Sequence, residues 1–206
     1  ASLAQAVPAY RTMLSFQILN ACNFQIALGA PLILMARSWG ASSFYIGAIT
    51  ALVPLLTTLQ IYMAPRVEYI GFRQVMLMGW AARNAILFLV TVLVFCASWL
   101  SNTMALEILF ACMILFNILR GLATTSWMPW LSSLVPESWR GRYISVEQIA
   151  INLTSAMVFF GSGLVLGKNP TNMHFGVLFL VSVTAGWSSL YFLRKIDSPP
   201  PLPGKP

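Results

Sequence analysis

The sequence is poor in charged residues. Only 8% of its 206 residues are Asp, Glu, Lys or Arg, whereas soluble domains carry about 25%. A soluble fold with so few charges could not cover its surface with groups that water solvates well. The composition therefore excludes a cytosolic enzyme, a disordered tail and a secreted disulfide scaffold, and it leaves a protein embedded in a membrane.

Metal ligands, paired cysteines and nucleotide-binding glycines are also missing. His174 is the only histidine, and Cys22, Cys96 and Cys112 all lie in apolar stretches without a Cys-x-x-Cys pair. Cysteines in such stretches behave as small apolar side chains. No glycine-rich phosphate loop and no Ser, His and Asp set is recognisable, so we expect no cofactor, no metal and no enzymatic activity.

Apolar residues, in contrast, are abundant. They make up 58% of the chain, and the mean hydropathy is +0.78. A stretch of about 20 apolar residues is long enough to cross a bilayer as a helix, and six such stretches are present. Pro129 lies in the fourth and is expected to kink or end its helix. The predicted fold class is all-α, a polytopic membrane bundle of six transmembrane helices at about 12–35, 43–64, 71–97, 103–134, 143–167 and 171–193.

The sequence changes character after residue 195. Residues 199–206 contain five prolines, a density that favours an extended polyproline II segment over a helix. We therefore divide the chain into a six-span transmembrane bundle, residues 1–195, and a proline-rich cytoplasmic linker or tail, residues 196–206.

Basic residues outnumber acidic ones by 12 to 5. A nucleic-acid partner is not expected, because no groove of basic and aromatic residues is recognisable. In membrane proteins an excess of Lys and Arg marks the cytoplasmic loops. With the amino terminus inside, eight basic residues fall on the cytoplasmic side and two, Arg37 and Lys168, fall outside. We predict an integral protein of the cytoplasmic (inner) membrane with both termini in the cytoplasm.

Two predicted cytoplasmic loops carry arginines beside an acidic residue, at residues 64–73 and 136–142. They resemble the loop signatures of the major facilitator superfamily, G-x-L-A-D-R-x-G-R-R and P-x-x-x-R-G-R. In the first loop Gly71 and Arg73 match the signature, whereas Ala64, Glu68 and Tyr69 replace its Gly, Asp and Arg. The second loop is the closer match. Arg120 and Gly121 also resemble the arginine motif of the family's fourth span.

The resemblance covers about residues 11–195 and implies the amino-terminal six-helix half of a secondary transporter. The implied partners are the lipid bilayer, a small-molecule solute and a second six-helix half, from the same gene or from a partner chain. The two halves would hold the solute between them and rock by alternating access. Whether the chain is a fragment or a natural half-protein stays open. The alternative function is a six-span accessory or assembly subunit of a larger membrane complex that does not transport.

Polar side chains within the predicted spans are the candidates for solute binding. A charge in mid-bilayer costs about 2.5–3.5 kcal/mol, so Arg120 is the principal candidate, with a pairing to Glu147 or a carbonyl as the structural alternative. For Arg83, in the third span, the structural role is favoured. The resemblance implies a cavity lined by spans one, two, four and five. The other candidate substrate-binding residues are polar side chains of spans one, four and five: Gln17, Asn20, Asn23, Asn117 and Asn152.

The candidate gating or coupling residues lie in or near the two basic loops. Arginines there can bind the carbonyl groups that end a helix and can form ion pairs between neighbouring spans. Glu147 follows the second loop by about five residues, so it is expected to pair with an arginine of that loop, or alternatively to act as a proton-linked acid beside Arg120. The complete gating set is Glu68, Arg73, Arg140, Arg142 and Glu147.

Overall fold

The computed structural model describes residues 3–203, with side chains from Tyr10 onward. Within these residues the regular structure is entirely helical. The elements are α1 (Leu3–Leu28), α2 (Ala30–Ser38), α3 (Ser43–Thr57), α4 (Gln60–Ile70), α5 (Phe72–Cys96), a 3-10 turn (Ala97–Trp99), α6 (Asn102–Thr124), α7 (Trp127–Leu134), α8 (Glu137–Leu166) and α9 (Asn172–Arg194).

Five segments of this helical structure are long and apolar enough to cross a membrane. The helices α3 and α4 make a sixth if they are taken as one span, bent by 46°. Each predicted span corresponds to one of these segments, so the prediction of an all-α membrane fold is confirmed. The chain is an integral membrane protein with five or six candidate spans: Tyr10–Ser38, Ser43–Thr57 with Gln60–Ile70, Phe72–Trp99, Asn102–Leu134, Glu137–Leu166 and Asn172–Arg194.

The fourth span is interrupted where its proline predicted an interruption. Helix α6 ends at Thr124 and α7 begins at Trp127. Pro129 has no N–H to donate to the carbonyl group four residues earlier, that of Thr125, so the regular helix ends there. The chain bends at this point without leaving the bundle, because Trp127 and Trp130 stay buried.

A layer of buried polar side chains crosses the middle of the bundle. One apolar cluster lies on each side of this layer, the first including Met35 and Phe175 and the second including Met13 and Leu193. Polar residues replace apolar ones at the same level in four helices. They are Gln17 and Asn23 in α1, Arg83 and Asn84 in α5, Asn117 and Arg120 in α6, and Ser182 in α9.

Both predicted basic loops are shorter than the sequence suggested. Helix α4 continues to Ile70 and α5 starts at Phe72, so Gly71 alone makes the turn, with φ 99° and ψ 130°. Helix α8 starts at Glu137 and contains most of the second loop. The spans were placed from hydropathy, which does not detect helix that extends beyond the apolar stretch.

Alanine at position 71 is expected to destabilise the protein by about 1–2 kcal/mol, because an L-residue at positive φ brings Cβ close to the backbone. Gly141→Ala is the matched control. Gly141 lies in α8 with open space around it, where alanine favours the helix by up to about 1 kcal/mol. Thermal unfolding of both variants in detergent tests this, and equal melting temperatures would contradict it.

The proline-rich segment packs against the bundle. Ile196 is buried in the second apolar cluster, and Trp130 Nε1 donates to the Asp197 carbonyl oxygen at 2.8 Å. The Leu202 N–H donates to the Glu68 carbonyl oxygen at 2.9 Å. No helix follows residue 195 within the described residues, and residues 196–202 run from the second apolar cluster to the α4–α5 turn.

Candidate functional site

A cavity of about 280 Å³ opens within the polar layer. Helices α1, α5, α6 and α8 line it, together with the start of α7. Its polar lining consists of Gln17, Asn20, Arg83, Arg120, Thr124 and Ser155. Its aromatic lining consists of Phe16, Phe24, Trp80 and Trp127.

Arg83 is completely buried in the middle of α5. Its Nη2 donates to the Oδ1 atoms of Asn20 and Asn23, at 2.5 and 3.2 Å. The guanidinium carbon lies 4.2 Å from the centre of the Trp80 ring, a cation–π distance. The buried Nε has no partner among the described residues. Arg83 is therefore held firmly, with one donor left without an acceptor.

Arg120 reaches from α6 to the bent second span. Its Nη2 donates to the Val53 carbonyl oxygen at 2.9 Å and to Thr57 Oγ1 at 2.8 Å. Its Nε donates to Asn117 Oδ1 at 3.2 Å, one helical turn earlier. These contacts hold Arg120 by uncharged oxygen atoms, and they exclude Glu147 as its hydrogen-bond partner in this structure.

The two arginines lie side by side at the same depth. Arg83 bonds to Asn20 in α1, and Arg120 lies 5.9 Å from the ring of Phe24, one turn further along. The two guanidinium groups repel each other. Because all their hydrogen-bond acceptors in the described structure are amide, hydroxyl or carbonyl oxygens, the cavity carries two positive charges without a bonded counter-ion.

The predicted polar face of α1 divides between two roles. Gln17 and Asn20 line the cavity. Asn23 points instead into the contact between α1, α5 and α9, where its Nδ2 donates to the Ser182 carbonyl oxygen at 2.8 Å. There Gly186 lets α9 come close, because a Cβ on it would stand 2.7 Å from that Nδ2. Asn23 therefore joins helices and supports Arg83 without lining the cavity.

The structure separates the two remaining predicted binding residues from the cavity. Asn117 is buried beside it, donates to the Met113 carbonyl oxygen at 2.9 Å and accepts from Arg120, which it positions. Asn152 lies exposed on α8 and accepts from Gln148 at 3.0 Å. Asn152 faces away from this cavity, on a surface that the chain itself leaves uncovered.

Glu147 contacts α1 and not the basic loop. Gln17 Nε2 donates to its Oε1 at 2.5 Å, and only 5% of the residue is exposed. The expected pairing with Arg140 or Arg142 is not present, because each arginine is held elsewhere. Arg140 donates to the Ser132 and Val135 carbonyl oxygens at the end of α7, and Arg142 lies over the Trp139 ring.

The remaining gating candidates lie at the α4–α5 turn. Glu68 is exposed, and its backbone carbonyl group accepts from the tail. Arg73 is exposed on the first turn of α5, beside the prolines of the tail. The tail thus contacts the turn that carries these two residues and, through Ile196, the second apolar cluster, which the loop signature did not predict.

The third span contributes more to the cavity than its sequence predicts. A structural role is favoured for Arg83 from the sequence, yet Arg83 lines the cavity together with Trp80 of the same helix. The second span, which the resemblance implied as a lining helix, contributes only the acceptors behind Arg120. Trp80 and Arg83 are three residues apart and thus share a helix face. A tryptophan and an arginine on one face within a span is the signal that could have identified this wall.

The structure and the comparisons assign no further ligand. No group of side chains able to hold a metal ion occurs in the part of the chain that the structure describes. Comparison of the chain with models of known protein families found no match, and comparison with curated proteins found none either. The resemblance to the major facilitator superfamily therefore rests on the loop motifs and the Arg120-Gly121 pair.

Substitutions of Gln17 and Glu147 are expected to be strongly coupled, so that their effects on the free energy of unfolding do not add. Replacing either residue by leucine leaves the other polar group buried and unpaired, at a cost of about 1–3 kcal/mol. Replacing both removes this pair as a whole, so the double variant should cost about 1–2 kcal/mol less than the sum of the two. Unfolding of the four proteins in detergent measures this, and the same cycle with exposed Glu107 in place of Glu147 should be additive.

Proposed function

We propose that this chain is the amino-terminal six-helix half of a major-facilitator-like secondary transporter for a small polar or anionic solute. The observation that carries the proposal is the pair of buried guanidinium groups at the cavity, held only by uncharged acceptors. A buried charge inside a membrane bundle is costly and marks a solute or ion pathway. Uncharged side chains could also hydrogen-bond neighbouring helices, so hydrogen bonding alone does not explain why two arginines lie at one cavity.

The uncovered face of α8 supports a second half as partner. Five large apolar side chains, spaced by four, four, three and four residues, form one exposed stripe on this helix: Ile149, Leu153, Met157, Phe160 and Leu164. Beside the stripe, Gln148 and Asn152 are exposed and bonded to each other. Exposed amides within a span are better satisfied against protein or a water-filled cavity than against lipid.

Alternating access then follows from the position of the cavity. Rocking of the two halves around a site in the middle of the bundle would open it to one side of the membrane at a time. The polar layer lies between two apolar clusters, so each cluster closes one end of the bundle. In this proposal Glu68, Arg73, Arg140 and Arg142 lie at the cytoplasmic end, and Glu147 with Gln17 links α8 to α1 just inside it.

The orientation can be tested by cysteine labelling. In a variant with the three native cysteines replaced by alanine, Gly141→Cys should be protected from a membrane-impermeant maleimide in intact cells, and Lys168→Cys should react. Both positions are exposed, Gly141 near the start of α8 and Lys168 just beyond its end, so permeabilised cells provide the control in which both react. Labelling of the first position only would reverse the assigned orientation.

A cross-linking and uptake experiment tests the proposed function. Leu153→Cys or Met157→Cys should cross-link, in native membranes, to a second six-helix half, whereas Tyr191→Cys on the exposed side of α9 should not. The cross-linked assembly, reconstituted in vesicles, should exchange a labelled solute across the bilayer. Cross-linking into a larger complex that exchanges no solute would instead establish the accessory-subunit alternative.

A further inference from the structure

The charge at the cavity is not balanced by the residues around it. Arg83 and Arg120 contribute two positive charges, and neither bonds to a carboxylate in the described structure. The nearest acidic side chain in the contacts of the lining is Glu147, bonded to Gln17. Two cations and one acid leave a net positive charge of at least one, which suits an anionic ligand.

The donors at the cavity suit an oxyanion. Arginine presents its N–H groups as a planar fork that matches a carboxylate. Asn20 and Asn23 orient Arg83 by holding its Nη2, but its buried Nε lacks an acceptor within the described residues. Because Arg83 lines the cavity, a bound carboxylate would lie against its guanidinium group. Arg120 donates to protein acceptors through Nε and Nη2, and no hydrogen bond from its Nη1 occurs within the described residues, so Nη1 is a donor that can meet a carboxylate.

The walls of the cavity suit a flat apolar body. Phe16 lies 5.3 Å from Trp127 and 6.3 Å from Trp80, measured between ring centres, so three rings form one continuous wall. Phe24 adds a fourth ring beside Arg120. Aromatic walls of this kind favour planar organic groups, whereas a small inorganic ion would leave most of the wall without a contact.

The volume limits the size of the ligand. At about 280 Å³, the cavity falls just below the range of about 300–1,000 Å³ that holds drug-sized ligands. An acid with one ring fits the volume that this half supplies.

We infer that the cavity binds a small aromatic or similarly flat monocarboxylate, with its carboxylate between Arg83 and Arg120 and its apolar body against Phe16, Trp80 and Trp127. This inference deepens the proposed transport function and rests on it. It narrows the proposed small polar or anionic solute to one chemical class.

Ligand-side comparisons on the parent chain test the inference without any variant. Benzoate is the probe, benzamide is its uncharged analogue of the same shape, and inorganic phosphate is an anion without an apolar body. Calorimetry in detergent should show saturable benzoate binding, with benzamide and phosphate at least about tenfold weaker. Quenching of tryptophan fluorescence should follow the same curve, because Trp80 and Trp127 line the site.

Variants then locate the binding. Arg83→Lys keeps the charge but loses Nε and the planar fork, so it should weaken benzoate at least about tenfold. Arg37→Gln, at an exposed arginine far from the cavity, should bind as the parent does. If Arg83→Lys does not fold, Trp80→Leu replaces it, with the same expected loss of benzoate affinity.

Each contrary outcome overturns the inference. Equal affinity for benzamide would show that charge plays no part in binding. Tighter binding of phosphate would show that an apolar body is not recognised. The absence of saturable benzoate binding would show that the cavity is not a site for this class of ligand. The proposed function has a separate readout, the exchange of solute by the reconstituted assembly. Exchange of a neutral solute without benzoate binding would keep the transporter and reject the carboxylate, whereas benzoate binding without exchange of any solute would keep the binding site and reject transport.

Discussion

Alanine at position 121 is expected to destabilise the bundle by about 3 kcal/mol and to abolish solute binding. A Cβ on Gly121 would stand 2.2 Å from the carbonyl oxygen of Leu56, which is backbone and cannot rotate away. Overpacking of this kind costs about 1–3 kcal/mol. Helix α3 would have to withdraw from α6, and Val53 and Thr57, which hold Arg120, would move with it.

The matched control is alanine at position 161. Gly161 also lies within a span, in α8, but a Cβ there meets nothing within 4 Å. Its replacement should leave stability unchanged or raise it by up to about 1 kcal/mol. Denaturant unfolding in mixed micelles compares the two. A Gly121→Ala protein as stable as Gly161→Ala would show that α3 and α6 do not approach as closely as the structure has them.

Methionine in place of Arg120 is expected to leave the fold intact and to reduce solute binding or transport at least about 100-fold. Removing the guanidinium relieves a burial cost of about 2.5–3.5 kcal/mol. It also removes hydrogen bonds to uncharged acceptors, worth about 1.5–3 kcal/mol each. The three lost hydrogen bonds outweigh the relieved burial cost, but no acid is left unpaired, so the melting temperature should fall while the protein still folds.

Measurements of unfolding and of solute binding together distinguish a role of Arg120 in the solute site from a purely structural role. A folded Arg120→Met protein without binding places the residue in the solute site. A protein that fails to insert makes the arginine structural, and Glu147→Gln is not expected to rescue it, because Glu147 bonds to Gln17. Unchanged binding would contradict the assignment and leave Gln17 and Asn20 as the residues to test. Arg37→Met, at an exposed position, controls for loss of a charge alone.

The spans could be predicted from the sequence because the bilayer imposes their length. A helix must keep about 20 apolar residues in the hydrocarbon core, so hydropathy alone places each helix to within a few residues. The same reasoning failed at 64–70 and 137–142, where helix continues beyond the apolar stretch. Hydrogen bonding within a helix does not depend on hydropathy, so its ends need capping or turn signals such as Gly71.

The candidate site could be predicted only in part. Arg120, Gln17 and Asn20 are predicted as binding residues because polar groups inside a membrane are costly and mark functional sites. All three line one cavity. The same rule could not tell Asn23 from Asn20, although both lie on one side of α1. The difference comes from α9, since the contact with Ser182 takes up Asn23. Long-range packing of this kind is not encoded in the spacing of residues along one helix.

Because residues 196–202 are docked on the bundle, any polypeptide that follows them would not extend directly from the end of α9. Between Asp197 and Leu202 the chain runs extended from beneath Trp130 to the carbonyl group of Glu68. Five residues of extended chain cover roughly 16 Å, at about 3.1 Å per residue. A tether joined after residue 203 would leave from the α4–α5 hairpin and not from the end of α9. Tension on that tether would therefore pull first on the hairpin turn at Gly71, so the length of the tether would act directly on the second and third spans.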